Sequence, residues 1–130
     1  MRHRIDLADT TDAPARARRT AADFLAEVGR VRGQPGSPAA VDAVLLVASE
    51  LVTNAVRHAP GPCTLCLALH DEGVLIEVSD TSPTPPRPRA PDISGVGGGW
   101  GWTLIARLAD EVRVLPEPGG GKTVRIRLPW

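Results

Sequence analysis

A run of glycines before a short predicted helix is the first segment whose residue types indicate chemistry. Gly97, Gly98, Gly99 and Gly101 flank Trp100 in this run. Such a run exposes backbone N–H groups beside a helix N-terminus, and this combination favours the binding of an anion. Because glycine-rich loops are common, the predicted anion site needs support from other residues.

A polar stripe on an otherwise apolar predicted helix is the second feature. In the segment Ser49–Ala59 (SELVTNAVRHA), steps of four place Glu50, Asn54 and His58 in one line. The stripe is either a solvated strip, since charged residues on helices usually face water, or the wall of a site. Asp80 ends a predicted strand where a long loop begins, and it is either a site residue or a turn residue.

Three other motifs are rejected. A P-loop ending at Lys122 and Thr123 would need its first glycine at Pro116 and a helix where TVRIRLP continues as a strand. The glycines around Trp100 do not satisfy the dinucleotide-binding pattern G-x-G-x-x-G. Cys63 and Cys66 would point to opposite faces of a strand, and no second cysteine pair completes a zinc site.

Hydrophobic periodicity predicts the elements that must position these residues. The predicted helices cover residues 13–30, 38–58 and 101–110, and the predicted strands cover 4–8, 64–69, 74–80, 112–114 and 124–128. The second helix opens with Ser37 as N-cap and Pro38 at its first position. This order buries one face of a mostly antiparallel sheet under helices, so the fold class is α+β, a two-layer α/β sandwich.

Composition limits the size and the class of the protein. The 130 residues, 42% of them hydrophobic, suit a single domain spanning 1–130. Fifteen Lys and Arg balance fifteen Asp and Glu, which argues against direct nucleic-acid binding. The apolar stretch 43–52 is far shorter than the roughly 20 residues of a membrane span, and the N-terminus carries no apolar signal segment. We therefore expect a cytoplasmic protein that contacts neither nucleic acid nor membrane.

Four segments, taken in chain order, resemble motifs of the Bergerat-fold ATPases, the superfamily of gyrase B and the histidine kinases. The resemblance points in particular to the bacterial anti-sigma-factor serine/threonine kinases. The segments are Glu50–Ala59 (ELVTNAVRHA), similar to the N-box; Val78–Asp80 (VSD), similar to the first glycine box; Gly99–Asp110 (GWGWTLIARLAD), similar to the second; and Gly121–Pro129 (GKTVRIRLP), similar to the closing strand. The resemblance runs from about residue 13 to the end and implies the Bergerat ATP-binding fold.

The resemblance implies ATP and Mg²⁺ as ligands and a role for three polar residues. Asp80 would accept a hydrogen bond from the adenine amino group, since an ionised carboxylate is an acceptor only. Asn54 would bind Mg²⁺ beside the phosphate oxygens. Glu50 would take the proton of the attacking nucleophile. Ser82 stands where the family usually has a glycine, two positions after Asp80.

The resemblance also assigns residues around the phosphates and the base. Gly99 and Gly101 would let the backbone of a lid approach the phosphates, and the lid itself would carry Arg87 and Arg89. Thr123 would lie near the adenine, through a water molecule. His58 would either contact the phosphate region or cap the end of its helix.

The implied function is a protein serine/threonine kinase that binds a sigma factor, phosphorylates a small antagonist protein and regulates transcription by partner switching, as a homodimer. A sensor histidine kinase is disfavoured because about 37 residues precede the N-box helix. Two alternatives stay open. One is a catalytically silent nucleotide-binding interaction module. The other is an interaction domain without nucleotide, in which Trp100, Trp102 and Trp130 anchor an interface.

Overall fold

The structure is a computed structural model that describes residues 1–8, 10–59, 61–71, 73–82 and 99–130, with the backbone alone described at 99–102. Its elements are β1 Arg2–Leu7, α1 Ala13–Arg32, α2 Pro38–His58, β2 Cys63–His70, β3 Gly73–Asp80, α3 Gly99–Leu108, β4 Glu111–Pro116 and β5 Lys122–Pro129. The part of the predicted lid at 83–98, with Arg87 and Arg89, lies outside the described residues.

The described strands form one five-stranded sheet in the order β1-β2-β3-β5-β4, with every neighbouring pair antiparallel. β5 therefore lies between β3 and β4, and the β4–β5 hairpin joins the other described strands only through the β3–β5 ladder. The alternating apolar residues of β3 and β5 pair in register and are buried: Val74 with Leu128, Ile76 with Ile126, and Val78 with Val124.

The helices cover this buried face of the sheet. α2 packs against α1 on one side and contacts β2, β3 and β5 on the other. Phe24 of α1 lies fully buried beside β1, where its ring meets the edge of the His3 ring at 5.2 Å. The arrangement confirms the predicted α+β two-layer sandwich with helices on one face of an antiparallel sheet.

Local residue chemistry explains where α2 begins and where α1 ends. Ser37 caps α2, because its hydroxyl accepts a hydrogen bond from the Ala40 amide at 3.1 Å. Pro38 follows at the first helical position, where its missing N–H costs nothing. α1 ends at Gly33, whose φ of +76° is the left-handed conformation that terminates many helices.

Within the described part of the chain, α2 is the one helix whose length and apolar composition would suffice to cross a membrane. Its apolar face lies in the core between α1 and the sheet, with the buried residues Val44, Val47, Ala48, Leu51, Val52 and Ala55. The composition of α2 thus has an explanation in the packing of the core.

The predicted boundaries differ from the observed ones by a few residues. β1 begins at Arg2 instead of residue 4, and α3 begins at Gly99 instead of residue 101. Glycine has a low intrinsic helix propensity, so local preference alone would start α3 later. The opposite orientations predicted for the two cysteines are confirmed, since Cys63 is buried in the core while Cys66 accepts a hydrogen bond from exposed Arg2.

Candidate functional site

The topology brings the ends of several elements together at one end of the sheet, here called the Asp80 end. β3 ends at Asp80, and β5 begins directly opposite it at Lys122. β2 begins at this same end, because Thr64 pairs with Ser79. α2 reaches the Asp80 end with its C-terminal half, since His58 precedes the first residue of β2 by five positions.

α3 points its N-terminus in the same direction. It leads into β4, which begins opposite Arg127 at the far end of the sheet. The ten residues of α3 span about 15 Å, and α3 contacts α2. Gly99 and Gly101 lie in the first turn of α3, so the backbone N–H groups of this turn are directed toward the Asp80 end.

The polar stripe of α2 divides into two parts. Glu50 and Asn54 are half-buried at the flank of the apolar face, whereas His58 is exposed at the last position of the helix. Burial raises the pKa of Glu50, and the positive charge of Arg57 offsets part of that rise. The half-burial of Glu50 and Asn54 departs from the interpretation of the stripe as a solvated strip.

Asp80 and Lys122 form a buried ion pair. The Lys122 ammonium lies 3.0 Å from Oδ1 and 2.9 Å from Oδ2 of the Asp80 carboxylate. The side chains are only 7% and 4% exposed for Lys122 and Asp80, respectively. Asp80 and Lys122 point to the helix-covered face, because they continue the alternation of Val78 and Val124 in the same ladder.

Ser82 and Gly121 complete the surroundings of this ion pair. The Ser82 amide donates to Asp80 Oδ1 at 2.9 Å, and the Ser82 carbonyl accepts from Lys122 at 3.3 Å. Gly121 passes so close to β3 that an added Cβ would lie 2.0 Å from the Asp80 carbonyl oxygen. Ser82, at the position of the family's glycine, thus fixes one carboxylate oxygen of Asp80.

Thr123 does not join Asp80 on the helix-covered face. Its hydroxyl lies 2.7 Å from the Ser79 hydroxyl, its partner in the ladder, and also donates to the Glu117 carboxylate. Successive residues of a strand point to opposite faces, so Thr123 points away from Asp80 and Lys122. The proximity of Thr123 to the adenine, through a water molecule, stays a prediction.

The residue that sequence reasoning missed is Lys122. It is the single lysine in a chain whose other fourteen basic residues are arginine. The alternation of Val124, Ile126 and Leu128 places residue 122 on the same face as those core residues, which is an unusual location for a lysine. That alternation, extended back by two positions, could have identified Lys122 from the sequence.

Comparison with known proteins decides the family. The model of the histidine kinase-like ATPase domain matches residues 10–128, which is most of the chain. The chain belongs to the histidine kinase-like ATPase domain family. Among curated proteins, none matches the chain. Histidine kinase-like ATPase domains bind ATP, typically with Mg²⁺.

The residues at the Asp80 end fit these ligands of a histidine kinase-like ATPase domain. Among the described residues no group of three or more His, Cys, Asp or Glu side chains could hold a metal. Mg²⁺ nevertheless suits such a site, because it binds through few protein oxygens together with phosphate oxygens and water. The Asn54 amide oxygen could supply the protein oxygen, and the N–H groups at the start of α3 suit phosphate.

Proposed function

We propose that this histidine kinase-like ATPase domain is an anti-sigma-type protein serine/threonine kinase that acts in the cytoplasm. It would bind a sigma factor and phosphorylate a small antagonist protein, and so regulate transcription by partner switching. The resemblance of Glu50–Ala59 and Gly99–Asp110 to the motifs of that kinase family supports this assignment. The same resemblance supports a homodimer as the working form.

The observation that carries the kinase assignment is the position of Glu50 on α2. Glu50 lies one helical turn before Asn54, and both side chains are half-buried. Burial raises the pKa of Glu50, and a carboxylate of raised pKa is a stronger base toward a hydroxyl proton. A base beside the residue that binds Mg²⁺ is the arrangement that phosphoryl transfer to serine requires.

The proposed step transfers the γ-phosphoryl group of ATP to a serine or threonine of the antagonist. The hydroxyl oxygen forms a bond to the γ-phosphorus while the bond from that phosphorus to the β,γ-bridging oxygen breaks, and ADP leaves with the electron pair. The hydroxyl proton passes to the Glu50 carboxylate. Mg²⁺, when bound, neutralises charge on the phosphate oxygens.

Other residues of the chain bind and orient the nucleotide. Asp80 accepts a hydrogen bond from the adenine amino group, which distinguishes adenine from a base with an oxygen at that position. Asn54 supplies an oxygen to Mg²⁺. The backbone N–H groups around Gly99 and Gly101 bind phosphate at the N-terminus of α3.

The test compares wild type with Glu50→Gln in single-turnover phosphotransfer to a co-purified antagonist. Glu50→Gln keeps the shape of the side chain and removes the base, so we expect transfer slower by about 10²- to 10⁴-fold. Binding of Mg-ATP should be at least as tight, because one negative charge near the phosphates is gone. Asp42→Asn, an exposed change at the other end of α2, is the matched control and should transfer at the wild-type rate.

Two results would contradict the proposal. Equal transfer rates in wild type and Glu50→Gln would remove Glu50 from catalysis. Binding of Mg-ATP without transfer to any co-purified partner would favour the catalytically silent nucleotide-binding module. Heating the protein with and without Mg-ATP separates both from an interaction domain that binds no nucleotide, since a specific ligand raises the unfolding temperature.

A further inference from the structure

The buried cluster of Asp80, Lys122 and Ser82 leaves one hydrogen-bonding position open. The Lys122 ammonium has three N–H donors, and its neighbours are the two oxygens of Asp80 and the Ser82 carbonyl. The cluster therefore has no free ammonium donor. Asp80 Oδ1 accepts from both Lys122 and the Ser82 amide, whereas Oδ2 accepts only from Lys122 among the described residues.

We propose that Lys122 determines base specificity, because its ion pair with Asp80 orients the carboxylate and leaves one acceptor position of Oδ2 for a 6-aminopurine. This inference rests on the proposed role of Asp80 in binding adenine. Lys122 does not itself contact the base. It is a positioning residue that acts through Asp80.

The charge of Lys122 is what makes the carboxylate a selective acceptor. A carboxyl group buried without a cation is far less costly when it is protonated. The protonated group has an O–H donor, which could bind the 6-oxo group of hypoxanthine. Paired with the ammonium, the Asp80 carboxylate presents acceptor oxygens only, so a 6-amino group binds to it and a 6-oxo group is repelled.

A lysine at position 122 fits the acceptors around Asp80 better than an arginine would. Fourteen of the fifteen basic residues are arginine, yet the cation beside Asp80 is lysine. An ammonium is a compact charge that directs three donors outward, whereas a guanidinium is planar and prefers two acceptors side by side. The acceptors around Lys122 belong to a carboxylate and to the carbonyl two residues later, which a small ammonium can reach together.

The test measures the affinities of ADP and inosine diphosphate by calorimetry, since diphosphates remove turnover from the measurement. Wild type should prefer ADP by about 10- to 100-fold, as expected for one hydrogen bond to a charged group. In Lys122→Met the preference should fall below about 3-fold, with ADP weakened and inosine diphosphate strengthened. A purely structural role for Lys122 would weaken both nucleotides alike and leave their ratio unchanged.

Two control variants accompany this measurement. Lys122→Arg keeps a cation beside Asp80 and should keep the preference for ADP. Arg127→Met removes an exposed cation from the same strand, away from Asp80, and should bind both nucleotides as wild type does. A folded Lys122→Met that keeps the wild-type ratio would overturn the inference and leave the role of Asp80 standing. A wild type without preference for ADP would overturn the role of Asp80, and the inference with it.

If Lys122→Met does not fold, an NMR measurement on the wild type still tests the inference. Because the chain has a single lysine, ¹⁵N labelling of lysine gives one side-chain ammonium resonance. Saturating ADP should shift this resonance, since a new donor on Oδ2 changes the carboxylate that the ammonium contacts. Inosine diphosphate should shift it less. A resonance that does not move with ADP would overturn the inference.

Discussion

The Asp80 carboxylate and the Lys122 ammonium meet across the β3–β5 ladder at 2.9 Å, with both side chains more than nine-tenths buried. Removing one partner of such a pair leaves an uncompensated charge in the interior, which is much more costly than losing a pair at the surface. The Arg113–Glu111 pair, at 2.9 Å and 58% and 33% exposed, provides the comparison within the same molecule.

Replacing Lys122 should therefore destabilise the fold far more than replacing Arg113. We expect Lys122→Met to lower the free energy of unfolding by about 3 to 5 kcal/mol. Arg113→Met should lower it by less than about 1 kcal/mol, because exposed ion pairs contribute little. Denaturant unfolding of the two variants measures both values, and similar losses would mean that the Asp80–Lys122 pair is solvated in solution.

Asp80→Asn should weaken ATP binding while Lys122 keeps an oxygen partner. The amide has one acceptor oxygen and no charge, so it cannot serve both Lys122 and the adenine amino group as a carboxylate does. We expect a loss of about 1.5 to 3 kcal/mol in ATP affinity, or roughly 10- to 100-fold. Calorimetry with ATP and GTP measures the change. Unaltered affinities for both nucleotides would separate Asp80 from the base.

Asn54→Ala should abolish the stimulation of nucleotide binding by Mg²⁺ and leave the fold intact. Asn54 is only half-buried on α2, and alanine is the best helix former, so the helix tolerates the change. Titration of ADP with and without Mg²⁺ measures the stimulation in wild type and variant. Thr53→Ala, at the preceding position of α2, is the control and should retain it. Equal stimulation in wild type and Asn54→Ala would exclude Asn54 as a ligand.

Glu50 should make the stability of the protein depend on pH. Its pKa is raised in the folded state by burial, so the folded protein binds this proton more tightly than the unfolded chain does. Stability is therefore lost as pH rises from the ordinary pKa of glutamate through the raised one. Glu50→Gln lacks this loss and should unfold at a higher temperature at neutral pH. The advantage should shrink in acid, and thermal unfolding over a pH series measures it.

Gly121 lies too close to the β3 backbone to carry a side chain, and Gly119 in the same turn provides a control. An added Cβ at Gly121 would lie 2.0 Å from the Asp80 carbonyl oxygen, whereas a Cβ at Gly119 would meet nothing within 4 Å. Gly121→Ala must push β5 away from β3 at the ion pair, so we expect a loss of about 1 to 3 kcal/mol together with weaker ATP binding. Gly119→Ala should be close to neutral. Comparable stabilities would contradict the tight packing at Gly121.

Local periodicity was sufficient to predict the α+β sandwich and the polar stripe of α2. The alternation of apolar residues marked β2, β3 and β5, because each has one face in the core. The Ser37 cap and Pro38 placed the start of α2 correctly, since both act within one turn of the helix. These features are determined by residues close together in sequence, so they can be predicted from one sequence alone.

The partners of Asp80 could not be predicted in the same way. The Asp80–Lys122 pair depends on β5 entering the sheet between β3 and β4, and on a register set between segments 42 residues apart. The resemblance to family motifs selected Thr123 and not Lys122. The two-residue period of β5 directs the Thr123 side chain to the sheet face opposite Asp80. Assigning alternate residues of β5 to the two faces of the sheet would have placed Lys122 on the same face as Asp80.

The single ladder between β3 and β5 has a consequence for how the molecule assembles. β2–β3 and β4–β5 are hairpins closed by short turns, and such units form in microseconds. Docking them onto each other must close a long loop first, and this makes it the slower event. Because Asp80 and Lys122 lie on opposite sides of that junction, the proposed adenine site does not exist until the two hairpins have docked. A nucleotide bound there would favour the docked state and slow the separation of the hairpins.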